Sequence, residues 1–121
     1  MRRTAQIWTL VAALVAAAFA LRTLLLIDAT ALWSDELYSV GKSFQPSPLA
    51  LLGMLRQDTH PPLYYGLLWS WGQLVGQTPV SLRLLSWLAY LAGGGVMVAQ
   101  AVALAEVRRS VLPLALLLAF C

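Results

Sequence analysis

Four of the five acidic residues in this chain and its single histidine fall in or beside one stretch: Asp28, Asp35, Glu36, Asp58 and His60. The same stretch and its border supply the cations Lys42, Arg56 and Arg83. A carboxylate can act as general base toward a hydroxyl, and a cation can stabilise a departing phosphate. Carboxylates, an imidazole and cations gathered in this way suit group transfer from a phosphate-bearing donor. Each residue also has a plainer use. Asp35 and Glu36 stand where acidic side chains stabilise any helix N-terminus through its dipole. Asp58 can cap or solvate a turn. His60, beside Pro61, can be a loop histidine, and it has no partner four residues on to complete a zinc motif.

The rest of the chain decides what surroundings hold these groups. Of 121 residues, 60% are hydrophobic and 11% charged, against roughly 45–50% and about 25% in soluble domains. That composition excludes a small water-soluble domain, and it excludes a disordered chain, which needs low hydrophobicity and high charge. One cysteine, Cys121, excludes an intramolecular disulfide. The net charge of +3 comes from scattered arginines and one lysine, with no basic run beyond a pair, so nucleic acid is not an expected partner. An integral membrane protein, in contact with the lipid bilayer, is the class that remains.

A membrane helix needs about 20 apolar residues. The first candidate covers residues 7–27, interrupted only by Arg22, Thr9 and Thr23. A second covers 80–105 and is uncharged from Leu84 to Ala105. Residues 110–121 are apolar but too few to cross, so the chain is expected to end inside a truncated third span. It then reads as the N-terminal part of a larger protein, whose remaining transmembrane helices are its expected partners. The pairs Arg2-Arg3 and Arg108-Arg109 both belong in the cytoplasm by the positive-inside rule. Two crossings between them satisfy that rule and place residues 28–79 on the external face, with the N-terminus cytoplasmic. Arg2-Arg3, the apolar run and Ala18-Phe19-Ala20 also form a secretory-signal pattern. The run continues past Arg22 to Ile27, longer than a signal needs, which favours an uncleaved anchor.

Within the external loop the spacing predicts short helices lying in the interface. Ser34 can cap a helix over Asp35–Val40, with Gly41 as its stop. Ser47 can cap another that has Pro48 in its first position and runs to about Arg56, burying Leu49, Leu52 and Leu55. Pro61-Pro62 leads into an aromatic helix over Leu63–Gly76, rich in the Tyr and Trp that prefer the headgroup level. Gly66, Ser70, Gln73 and Gln77 form a narrow polar stripe on it. Gly93-Gly94-Gly95 lies within the second span, where glycine permits close helix packing. Arg22 can snorkel to the outer headgroups.

Three runs of residues together resemble a known family: Ala31-Leu32-Trp33-Ser34-Asp35-Glu36-Leu37-Tyr38, Asp58-Thr59-His60-Pro61-Pro62-Leu63-Tyr64-Tyr65 and Ser81-Leu82-Arg83-Leu84-Leu85-Ser86. In this order the chain resembles the N-terminal part of the polytopic GT-C glycosyltransferases, over nearly its whole length. It is most similar to the bacterial branch related to dolichyl-phosphate-mannose protein mannosyltransferases and lipid A aminoarabinose transferases. The resemblance implies an all-α membrane domain of several spans in the bacterial inner membrane, with the catalytic loop outside. It implies that a sugar passes from a polyprenyl-phosphate donor to an acceptor with inversion, with no nucleotide or redox cofactor; a divalent metal stays open.

By the same resemblance, Asp35 engages the acceptor nucleophile at the catalytic centre and Glu36 supports it. Asp58 and His60 face the same cavity, toward the donor phosphate or a metal, and Arg22 and Arg83 lie near phosphate. Histidine at position 60, where the aminoarabinose branch usually has lysine, points to the mannosyltransferase-like side. The donor cavity needs walls from further helices, so these 121 residues are expected to be inactive alone. The alternative functions are a transporter or channel component and a non-catalytic membrane anchor. No ionisable residue sits in mid-span to mark an ion pathway, and an anchor leaves the clustered acids without a use.

Overall fold

The computed structural model of the chain describes residues 2–59, 61–105 and 111–121. Among them the secondary structure is helical and contains no strand. The chain divides into two compact units, residues 1–27 with 86–121 and residues 28–85.

The first unit contains α1 (Arg2–Leu25), the greater part of α5 (Pro79–Ala105) and α6 (Val111–Phe120). Runs of Ala and Leu, the best helix formers, account for α1 and α6. Among the described residues α1 and α5 are the two helices long and apolar enough to cross a membrane, and only 11% of each apolar window is buried. α6, at 10 residues, is too short for that. α1 packs against α6. The buried positions are small ones, Ala12, Ala16, Gly94, Ala101 and Ala115, which let helix backbones approach closely. Thr9 and Thr23 turn their hydroxyls back onto the carbonyls of Ala5 and Ala20, at 2.9 and 2.8 Å. Neither hydroxyl is thereby left without a partner on an apolar helix. Trp87 donates its indole N–H toward Ala20 O and Thr23 Oγ1, both at 3.3 Å. Tyr90 Oη donates to Phe120 O at 2.7 Å, and the two rings meet edge to face.

The second unit holds α2 (Ser34–Ser43), α3 (Pro48–Leu55), α4 (Pro62–Val75) and the first turns of α5. α3 starts as its sequence expects: Ser47 Oγ accepts the Ala50 N–H at 3.1 Å, and Pro48 takes the first position. Its buried face differs from the expected one. Leu51 and Leu55 are buried, whereas Leu49 is 79% and Leu52 53% exposed. α3 is apolar all round, so periodicity cannot select a face. Packing selects it: Leu51 and Leu55 form the core with Tyr65 of α4, and Met54 and Trp69 close over them.

α2 also departs from expectation at both ends. Its N-cap is Trp33, and Ser34 is already helical. At the other end it runs through Gly41 to Ser43, because Gln45 Nε2 bonds the carbonyls of Gly41 and Lys42 at 3.3 Å each, supplying partners those carbonyls would lack at a helix end. α4 ends at Gly76, whose φ of 103° only glycine adopts without strain. Thr78 then caps α5, its hydroxyl accepting the Ser81 N–H at 3.2 Å. Trp71 and Ser81 fasten this corner, with Trp71 Nε1 on Ser81 O at 2.8 Å and Ser81 Oγ on Gly76 O at 2.7 Å.

Candidate functional site

The first turn of α2 separates the two neighbouring acids. Glu36 folds back so that its Oε2 accepts the Trp33 N–H at 2.9 Å, and the same carboxylate meets Arg83 from the start of α5. Arg83 Nε reaches Oε1 at 2.9 Å and Nη2 reaches Oε2 at 2.8 Å, a two-pronged pair that matches the planar fork to the carboxylate. The Arg83 guanidinium, and secondarily the Trp33 N–H, hold the Glu36 carboxyl at about 2 against an ordinary 4.5; partial burial opposes them. Arg83 also donates to Thr30 O at 2.7 Å and to Ala31 O at 2.8 Å.

Asp35 stands in contrast. Its side chain is exposed, and among the described residues no hydrogen bond or ion pair engages its carboxylate. Only its backbone carbonyl is used, accepting Ser39 Oγ at 3.0 Å. The capping and ion-pairing roles of an Asp-Glu pair have therefore both fallen to Glu36.

One and two turns further along, Tyr38 and Lys42 share the Asp35 side of α2, since residues three and seven apart lie on one helix face. Lys42 forms an ion pair with Asp58 on the connection between α3 and α4. Its ammonium lies 4.1 Å from the Tyr38 ring centroid and 6.0 Å from that of Tyr65. The Asp58 carboxylate first, and Tyr38 second, raise the Lys42 ammonium above its ordinary pKa. The face thus presents an unengaged carboxylate, a phenol and a neutralised ion pair, about 10 Å from end to end at the rise of a helix.

Of the six residues singled out from sequence, Asp35, Glu36, Asp58 and Arg83 belong to this unit. Arg22 belongs to the other unit, exposed in the last turn of α1. His60 lies outside the described residues. Sequence reasoning missed Lys42 as the partner of Asp58, together with the aromatic rings around it. The signal available was Tyr38 and Lys42 four residues apart, a spacing at which helical side chains touch. Among the described residues no three His, Cys, Asp or Glu side chains converge in a way that could hold a metal ion. No protein-family model, curated protein or solved structure matches the chain.

Proposed function

We propose that the chain provides membrane helices and the external loop of a GT-C-like glycosyltransferase. It moves a sugar from a polyprenyl-phosphate donor to an acceptor on the external face of the bacterial inner membrane. In this reading α1 and α5 cross the bilayer, residues 28–79 lie outside, and the short helices rest at headgroup level with apolar residues such as Trp33, Leu37, Leu49 and Leu63 against lipid. Asp35 is the general base. It takes the proton of the acceptor nucleophile as that nucleophile attacks the anomeric carbon opposite the phosphate. The sugar–phosphate bond breaks with its electrons on the leaving phosphate, and a single displacement inverts the centre. Asp58 and His60 are assigned to the donor side. The observation that carries the reading is the division of labour at α2: Glu36 takes the structural role, so the exposed Asp35 carboxylate is left available.

The test is a transfer assay in membranes containing the full-length protein, with a radiolabelled polyprenyl-phosphate sugar and Asp35→Asn beside wild type. Asn keeps the shape and removes the base, so transfer is expected to fall by about 10²–10⁴-fold while the protein inserts and accumulates normally. Transfer near the wild-type rate would remove Asp35 from the chemistry. No transfer by wild type from any lipid-linked donor would favour the transporter or anchor alternative.

A further inference from the structure

Arg83 was expected near the donor phosphate, but its surroundings argue for different work. It reaches the Glu36 carboxylate with two nitrogens and the carbonyls of Thr30 and Ala31 with two more N–H bonds, all between 2.7 and 2.9 Å. Its side chain is only 14% exposed. Residues 28–33 form neither helix nor strand; Trp33 O accepts the Leu37 N–H at 2.9 Å at the helix start, and ahead of it side-chain bonds hold the segment. Arg83 grips it at residues 30 and 31, and Glu36 grips it at the Trp33 N–H. Asp35 follows directly, in the turn those bonds set. A phosphate arriving at Arg83 would have to displace the carboxylate and two carbonyls together, leaving polar groups without partners and an anion beside an anion. A guanidinium is suited to this clamp because its donors lie in one rigid fork, which a lysine point charge cannot imitate.

We infer that Arg83 is a positioning residue, which with Glu36 clamps residues 30–36 and so fixes where the Asp35 carboxylate stands. The clamp is a statement about the loop alone; its consequence for catalysis rests on the proposed glycosyl transfer. Misplacing a catalytic group by about 1 Å can cost on the order of 10²-fold in rate. Loss of the clamp should therefore lower turnover without weakening donor affinity.

The experiment uses the full-length protein with Arg83→Gln and Arg83→Lys. Hydrogen exchange of the peptide covering residues 29–37 is read first, and it needs no substrate. Both variants are expected to exchange there about tenfold faster than wild type, because the amide protection of a tethered segment depends on its tethers. Steady-state transfer with varied polyprenyl-phosphate sugar is read second. The expected result is a fall in kcat of about 10–100-fold, with the donor KM within about twofold of wild type. Unchanged exchange in both variants would overturn the clamp. So would a large rise in donor KM with kcat preserved, the mark of a phosphate ligand. Should wild type transfer no sugar at all, the glycosyltransferase reading fails, and the exchange data still decide the clamp.

Discussion

Glu36 and Arg83, 47 residues apart in sequence, form a two-pronged ion pair with both bonds at 2.8–2.9 Å. The pairing makes a pH prediction. The Glu36 carboxyl ionises at about 2 in the folded protein against an ordinary 4.5. The folded state therefore binds this proton more weakly than the unfolded chain. Its stabilisation is complete above 4.5 and is lost as pH falls from there toward 2. Because the side chain is 36% exposed, solvent screening reduces the contribution to about 1 kcal/mol. Thermal midpoints of the detergent-solubilised protein, followed from about pH 7 to pH 3, should drop for wild type below the ordinary carboxyl range. Glu36→Gln should start lower and lack that component. Parallel curves for the two proteins would assign the titration to another group.

Lys42 is the only lysine in the chain, which makes its ion pair open to chemical labelling. Its ammonium is held above its ordinary pKa by Asp58 and Tyr38. Its contribution is therefore full below the ordinary 10.5 and is lost as pH rises through the raised value. Asp58→Asn removes the first cause. Amine labelling at Lys42, read by mass spectrometry at about pH 9, should then speed up several-fold, because more of the amine is deprotonated. Tyr38→Leu should produce a smaller increase in the same direction. A labelling rate indifferent to Asp58 would dissolve the pair.

The two long helices were legible because an apolar run of about twenty residues, interrupted in α1 by Arg22 and uncharged in α5 from Leu84 onward, admits few structures. The start of α3 was legible because Ser47-Pro48 is a local signal read by the adjacent backbone. The start of α2 was not. Ser34, Asp35 and Glu36 can each serve a helix N-terminus, and the choice depends on Arg83, which arrives from another helix to hold Glu36 against the Trp33 N–H. The buried face of α3 was likewise undecidable from eight nearly all-apolar residues, since it is set by Tyr65 and Trp69 on α4. At the candidate site, residue types were visible in the sequence but pairings were not. Glu36 with Arg83 and Lys42 with Asp58 are both tertiary contacts.

Trp69 links two parts of the second unit. Its ring lies on the core formed by Leu51, Leu55 and Tyr65, and its Nε1 donates to Gln45 O at 2.9 Å, just beyond the end of α2. Trp69→Phe keeps an aromatic ring on the core and deletes the donor, leaving the Gln45 carbonyl without that bond. The expected cost is about 1–2 kcal/mol, measured as a shift of the denaturation midpoint in detergent. Trp69→Leu should cost more because ring packing goes too. Equal stability of Trp69→Phe and wild type would mean that water replaces the indole at no loss.

The three consecutive glycines of α5 are chemically identical yet should respond differently to one methyl group. A Cβ on Gly94 would lie 2.5 Å from Phe120 Cε1 and 2.6 Å from Cζ, whereas one on Gly93 or Gly95 meets nothing within 4 Å. The Phe120 ring has limited freedom to retreat, because it stands edge to face with Tyr90 at a centroid separation of 5.7 Å, and Tyr90 Oη is bonded to the Phe120 carbonyl. Gly94→Ala should therefore destabilise by about 1–3 kcal/mol through overpacking. Gly93→Ala and Gly95→Ala should be neutral or stabilise by up to about 1 kcal/mol, since alanine is the better helix former. Thermal midpoints of the three variants in one detergent separate these outcomes. Phe120→Ala supplies the control: in that background the Gly94→Ala methyl finds space, so the two changes together should cost less than the sum of each alone. Strict additivity would show that α6 does not seat Phe120 against Gly94.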